Sequence, residues 1–88
     1  MVSTDYIITA EQGLHARPAA ALVKFCRGFK SSVQLKKADR TVLLNSMLNL
    51  LSLAIKKGDT VTIMIEGEDE SSAMLAIDSF FKEQLKHL

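Results

Sequence analysis

Pro18 narrows the folding of this chain more than any other residue. Its ring fixes φ near the helical value and leaves no N–H to donate, so a helix accommodates it only in the first turn. The alanine-rich run that surrounds it, Ala16 to Ala21, favours helix. A helix must therefore begin beside His15 and Arg17, just after a loop that contains Gly13. A helix start gathers unpaired backbone N–H groups and the positive end of the macrodipole, which makes it an anion site before any side chain is counted.

The side chains at that start point to phosphate. Arg17 adds a permanent cation whose planar fork of donors matches phosphate oxygens. His15 adds an imidazole, a ring nucleophile that can attack a phosphoryl group. The helix start and Arg17 would then stabilise the dianion formed on the ring. The residues imply a reversible phosphoryl-accepting histidine. The plainer alternative is a loop histidine that only caps a helix.

From this start the chain reads in both directions. Val2–Thr9 alternates, with Tyr6 and Ile8 on one side and Asp5 and Ile7 on the other, as a strand does. The first helix is predicted over Ala16–Arg27, burying Ala19, Leu22, Cys26 and Phe29, with Lys24 and Arg27 on other faces. Gly28 stops it. Ser32–Lys37 and Arg40–Leu44 read as strands joined by a turn at Ala38-Asp39. Thr60–Glu66 is the clearest strand, placing Val61, Ile63 and Ile65 on one face. A last helix is predicted over Glu70–Lys86, with Asp69 at its N-cap and Ala73, Ile77, Phe80, Phe81 and Leu85 as its buried stripe.

The segment between the third and fourth strands carries more apolar surface than a covering helix needs. A helix is predicted over Met47–Ile55, with Ser46 as N-cap and Lys56, Lys57 and Gly58 at its end. At about 100° per residue, Leu50 and Leu53 fall on one side, and Met47, Leu48 and Leu51 on the other. One arc must face the core. The surplus arc, Met47, Leu48 and Leu51, is expected to be a partner surface.

The resulting order, β-α-β-β-α-β-α, implies a two-layer α+β fold. The chain has 88 residues, 48% of them hydrophobic and 24% charged, which fits one domain spanning residues 1–88. Its formal net charge of +1 lacks the basic stripe that nucleic acid demands. The single Cys26 is read as a small core residue, and with no intrachain disulfide possible the reducing cytoplasm is the expected location. Val42–Ile55, the most apolar stretch, is too short and too polar to span a bilayer. His15, Cys26 and His87 lack metal-ligand spacing, and His87 is expected to be solvated. Glu66, Glu68, Asp69 and Glu70 read as a turn and helix start rather than a catalytic pair. No Walker-type phosphate loop occurs, so no cofactor is implied.

The run Gly13-Leu14-His15-Ala16-Arg17-Pro18-Ala19-Ala20 closely resembles the HPr family, the histidine-containing phosphocarriers of the bacterial phosphoenolpyruvate:sugar phosphotransferase system. The resemblance extends through Gly58-Asp59 and Gly67-Glu68-Asp69-Glu70. It implies an open-faced two-layer β-sandwich, with a four-stranded antiparallel sheet ordered 1-4-2-3 and three helices on one face. It also implies a monomeric carrier rather than an enzyme. Such a carrier takes a phosphoryl group from Enzyme I on His15, with Arg17 stabilising it, and passes it to Enzyme II A domains. Ala16, Ala20, Lys24, Arg27, Met47, Leu48 and Leu51 match the family's docking surface.

Ser46 matches the position that HPr kinase/phosphorylase modifies in many relatives. That match implies an alternative role in carbon catabolite regulation through a transcription factor. Asn45 and Asn49 depart from the lysine and glycine common beside that site, and Gln12 from the short polar residue common before Gly13. A third possibility is a small-molecule-binding α+β module in which His15 is only a cap.

Overall fold

The computed structural model describes residues 1–84. Four strands, β1 (Val2–Ile7), β2 (Ser32–Lys37), β3 (Arg40–Leu43) and β4 (Thr60–Glu66), alternate with helices α1 (Ala16–Cys26), α2 (Met47–Leu51) and α3 (Glu70–Ser79). The last helix runs on as a π-helix over Phe80–Gln84. The strands form one antiparallel sheet in the order β1-β4-β2-β3, so the fold expected from the resemblance is the fold observed. The expected Leu85 and Lys86 at the end of the last helix, and His87 beyond them, lie outside the described residues.

β4 occupies the sheet interior because its alternation is the cleanest. Val61, Ile63 and Ile65 are fully buried, while Thr60 and Glu66 stay exposed. Register sets Ile65 opposite Val2 of β1 and Val33 of β2, and Ile63 opposite Thr4 and Leu35. Directly paired residues share a face, so Val2, Val33, Leu35, Ile63 and Ile65 build one apolar floor. Ala19, Leu22, Val23 and Cys26 of α1, Leu50 of α2, and Ala73 and Ile77 of α3 cover it. Each large side chain so buried stabilises the fold by roughly 1.5–3 kcal/mol. Cys26 belongs to this layer, and burial pushes its thiol up to about 12. Among the described residues, no helix is long and apolar enough to cross a membrane.

α2 is shorter than its sequence predicts. It ends at Leu51 rather than Ile55, although Leu53 and Ile55 are buried as a continuing helix would have them. Ala54 takes φ +50°, in the left-handed region that stops a helix. The carbonyls this exposes are captured from the β2–β3 hairpin. Lys37 Nζ donates to Leu53 O and Ala54 O at 3.0 Å each, and Arg40 donates to Ser52 O at 3.1 Å. The cations that end α2 are therefore Lys37 and Arg40, not Lys56 and Lys57.

Asp69 also departs from expectation. It occupies the N-cap position of α3, but its carboxylate makes no cap bond. Instead it accepts from Lys30 N at 2.9 Å, from Ser31 N at 2.8 Å and from the Ser31 hydroxyl. It thus fastens the α1–β2 loop to the start of α3. A Cβ on neighbouring Gly67, where φ is +153°, would meet Ser31 at 2.6–2.8 Å, so only glycine permits the approach.

At the far end of α3, Phe80 stacks on Phe25 at 4.9 Å and Phe81 on Tyr6 at 4.4 Å. The Tyr6 hydroxyl donates to Asp78 at 2.7 Å, and Lys82 pairs with Asp78 at 3.0 Å.

Candidate functional site

The loop before α1 is held from below. Gly13 takes φ +65°, and a Cβ there would sit 2.3 Å from Ile55 O. Glycine is therefore required twice over, by backbone conformation and by contact. Leu14 N donates to that same carbonyl at 3.1 Å, and the Leu14 side chain is buried. Ile8 N donates to Asp59 O at 2.9 Å and Gly58 N to Ile8 O at 2.8 Å. The loop Ala10–Leu14 thus rests on the connection between α2 and β4.

His15 follows as the N-cap of α1, with extended backbone (φ −81°, ψ −171°). Its carbonyl accepts the first helical bond, from Ala19 N at 3.0 Å. Its side chain makes no cap bond. Pro18 explains part of this. It occupies the third helical position, where a capping side chain would seek an N–H, and has none to offer. The backbone N–H groups of Ala16 and Arg17 have no intrahelical acceptor and stand at the positive end of α1.

The ring of His15 is half-buried, with Nδ1 3.4 Å from Gly13 O, a long contact for a hydrogen bond. Arg17 is exposed in the same turn. One half-buried imidazole, one exposed guanidinium and two backbone donors thus share a single helix turn.

Ser46 starts α2 in the opposite manner. Its hydroxyl oxygen accepts from Asn49 N at 3.3 Å, as predicted for an N-cap serine, and Ser52 Oγ donates to Asn49 O at 2.6 Å. Arg27, just past the end of α1, donates to Asn45 O at 3.1 Å and so ties the end of α1 to the segment before Ser46.

Around these starts the expected docking residues divide. Ala16, Ala20 and Lys24 are exposed along α1, and Arg27 just past its end. Met47 is 39% exposed and Leu48 79%, while Leu50 at 1% and Leu53 at 5% face the core. The two faces are thus assigned as the spacing predicts. Leu51 is the exception, half-buried and packed against the core. Because α2 breaks off at Leu51, its last side chain turns toward the layer beneath.

A family model described as the PTS HPr component phosphorylation site matches residues 2–83. The chain belongs to the HPr family. Among solved structures, the histidine-containing phosphocarrier protein of Mycoplasma superposes with a TM-score of 0.90 at 33% identity, covering 96% of each chain. HPr from Thermoanaerobacter tengcongensis matches with a TM-score of 0.91 at 30% identity, over 100% of this chain and 98% of its own. The Bacillus subtilis catabolite repression protein Crh, described as a swapped dimer, matches with a TM-score of 0.74 at 36% identity, over 96% and 97%. HPr-like neighbours therefore include both phosphocarriers and a catabolite repression protein.

Sequence reading missed what lies under the HPr site. The bond from Leu14 N to Ile55 O and those from Lys37 Nζ to Leu53 O, Ala54 O and Asp59 Oδ2 join residues distant in the chain. Gly13 was the only local signal of the first. For the second, a lysine that ends the otherwise apolar face of Val33 and Leu35 carries no signature of the carbonyls it meets.

Proposed function

We propose that this HPr-family chain is a phosphocarrier that accepts a phosphoryl group from phospho-Enzyme I on His15 and passes it to Enzyme II A domains. The observation that carries the reading is the uncapped start of α1, where His15, an exposed Arg17 and two backbone N–H groups share one helix turn. The Nδ1 lone pair attacks phosphorus, the N–P bond forms, and the bond from phosphorus to the donor breaks with its electron pair left on the donor. This needs the tautomer with the proton on Nε2, so the weak contact to Gly13 O is given up. The N–H groups of Ala16 and Arg17 and the Arg17 fork then take the phosphoryl oxygens.

The chain serves as a protein substrate rather than a catalyst. Ala16, Ala20, Lys24, Arg27, Met47 and Leu48, with the edge of Leu51, offer a basic and apolar surface beside His15 to acidic partners. The test is incubation with Enzyme I and labelled phosphoenolpyruvate. One added phosphate by intact mass, lost in mild acid, supports the reading; no incorporation overturns it.

A second reading is favoured by Ser46, which stands next to exposed Met47 and Leu48, and by the match to Crh. A phosphate there would set a dianion on the docking surface and repel acidic partners. Acid-stable, ATP-dependent phosphate on Ser46 without turnover at His15 would make regulation the main role.

A further inference from the structure

The His15 loop does not rest on a regular element. It rests on residues 53–59, which include the left-handed Ala54 and belong to no helix or strand. A non-glycine residue held at φ +50° is strained and persists only where its surroundings over-determine it. The surroundings here converge on one side chain. Lys37 Nζ lies 3.0 Å from each of three acceptors, Leu53 O, Ala54 O and Asp59 Oδ2. An ammonium has three N–H donors, so this one is fully engaged. It spans the segment from its first residues to its last, and Asp59 Oδ2 returns to the middle by accepting from Lys56 N at 2.8 Å. Between these anchors lies Ile55 O, the acceptor for Leu14 N and the atom against which Gly13 packs. Asp59 O, at the far anchor, accepts from Ile8 N, just before the same loop.

We infer that Lys37 is a positioning residue for His15, acting through the 53–59 platform. Its ammonium ties the strained Ala54 turn to Asp59, which fixes Ile55 O, which fixes Leu14 and with it the ring one residue on. Lys37 touches neither His15 nor the surface offered to partners. It sets the geometry of attack rather than affinity, and this deepens the reading of His15 as phosphoryl acceptor, on which it rests.

Lys37→Met keeps the chain length and apolar stem and removes the three donors. It is expected to speed amide exchange at Leu14 about tenfold, in line with the loss of a charge-assisted hydrogen bond, while Ile63 in β4 exchanges as before. Turnover with phospho-Enzyme I is expected to fall about three- to tenfold in kcat with KM little changed, because a slightly misplaced nucleophile slows the step it performs. Lys37→Arg should restore part of both. Wild-type exchange at Leu14 in folded Lys37→Met overturns the proposal, as does a loss confined to KM. If Lys37→Met does not fold, Asp59→Asn weakens one anchor by removing its charge, and unchanged Leu14 exchange there overturns the proposal equally. Failure of the functional reading is separate: wild-type protein would take no acid-labile phosphate, while the exchange arm would still read the brace.

Discussion

The starts of α1 and α2 differ in what their N-cap side chains do. Ser46 spends its oxygen on Asn49 N, closing the start of α2 on itself. His15 closes nothing, and Pro18 removes the N–H that a cap would have taken. A capped start is a structural device, whereas an uncapped one keeps its donors for something else. The contrast extends to length, because α1 spans 11 residues and α2 only 5. The longer helix presents the fuller dipole to its open end.

The largest effect expected from breaking this contrast is at His15. His15→Ala should abolish acid-labile labelling while thermal stability stays close to wild type, since the side chain makes no cap bond. Labelling of the variant equal to wild type in an Enzyme I assay would show that the open start is not the acceptor.

Next in size is the face of the shorter helix. Leu50→Glu should unfold the domain, because an unpaired buried carboxylate costs several kcal/mol against a total stability of about 5 kcal/mol. Leu48→Glu should leave thermal unfolding nearly unchanged and weaken Enzyme I binding. Circular dichroism melts that reverse this order would show the faces to be assigned backwards.

Arg17→Ala should slow transfer about tenfold or more by removing a charge-assisted bond to the dianion, and Arg17→Lys should rescue it partly, since an ammonium lacks the fork. Equal transfer rates across the three proteins would remove Arg17 from the site. Ser46→Ala sharpens the comparison from the other side. It should cost about 1 kcal/mol, or about 4–8 °C in melting temperature, with transfer intact. A loss that small in stability at Ser46 and none at His15 is the signature of one closed and one open start.

Smallest is a pH effect on the loop at the other end of α1. The Ser31 hydroxyl and the Lys30 backbone N–H hold the Asp69 carboxyl below the usual carboxylate range. A depressed folded value means that this contribution is fully present above about pH 4, the ordinary Asp value, and is lost as pH falls through the folded value. Melts between pH 6 and pH 2 should show an acid decline that Asp69→Asn flattens.

The strands were legible because alternation is local. Ser32–Lys37 and Thr60–Glu66 appear with the limits expected of them, and Val61, Ile63 and Ile65 face inward as their spacing requires. The start of α1 was legible for the same reason, since Pro18 constrains its own turn. The end of α2 was not, because Lys37 and Arg40, more than ten residues away, decide where it stops. Asp69 was placed correctly in the chain and wrongly in role. An aspartate before a helix reads as a cap, and only the fold brings Ser31 within reach of it. At the site, His15 and Arg17 were visible as residue types in a short run, but the platform beneath them is built from contacts that no window of sequence contains.

The Tyr6 pair with Phe81 and Asp78 has a consequence for watching this molecule at work. The chain holds one tyrosine and no tryptophan, so any phenolate absorbance comes from a single ring on an edge strand. That ring reports the closing of β1 against the π-helix after α3, two segments more than seventy residues apart. Burial, with the bond to Asp78, pushes the phenol upward from its ordinary value, so the hydroxyl stays protonated in alkali that would ionise an unfolded copy. Absorbance of the phenolate at high pH therefore counts opened molecules without any label. The two segments have to meet before that absorbance is lost, which makes this tyrosine a clock for a long-range step of folding.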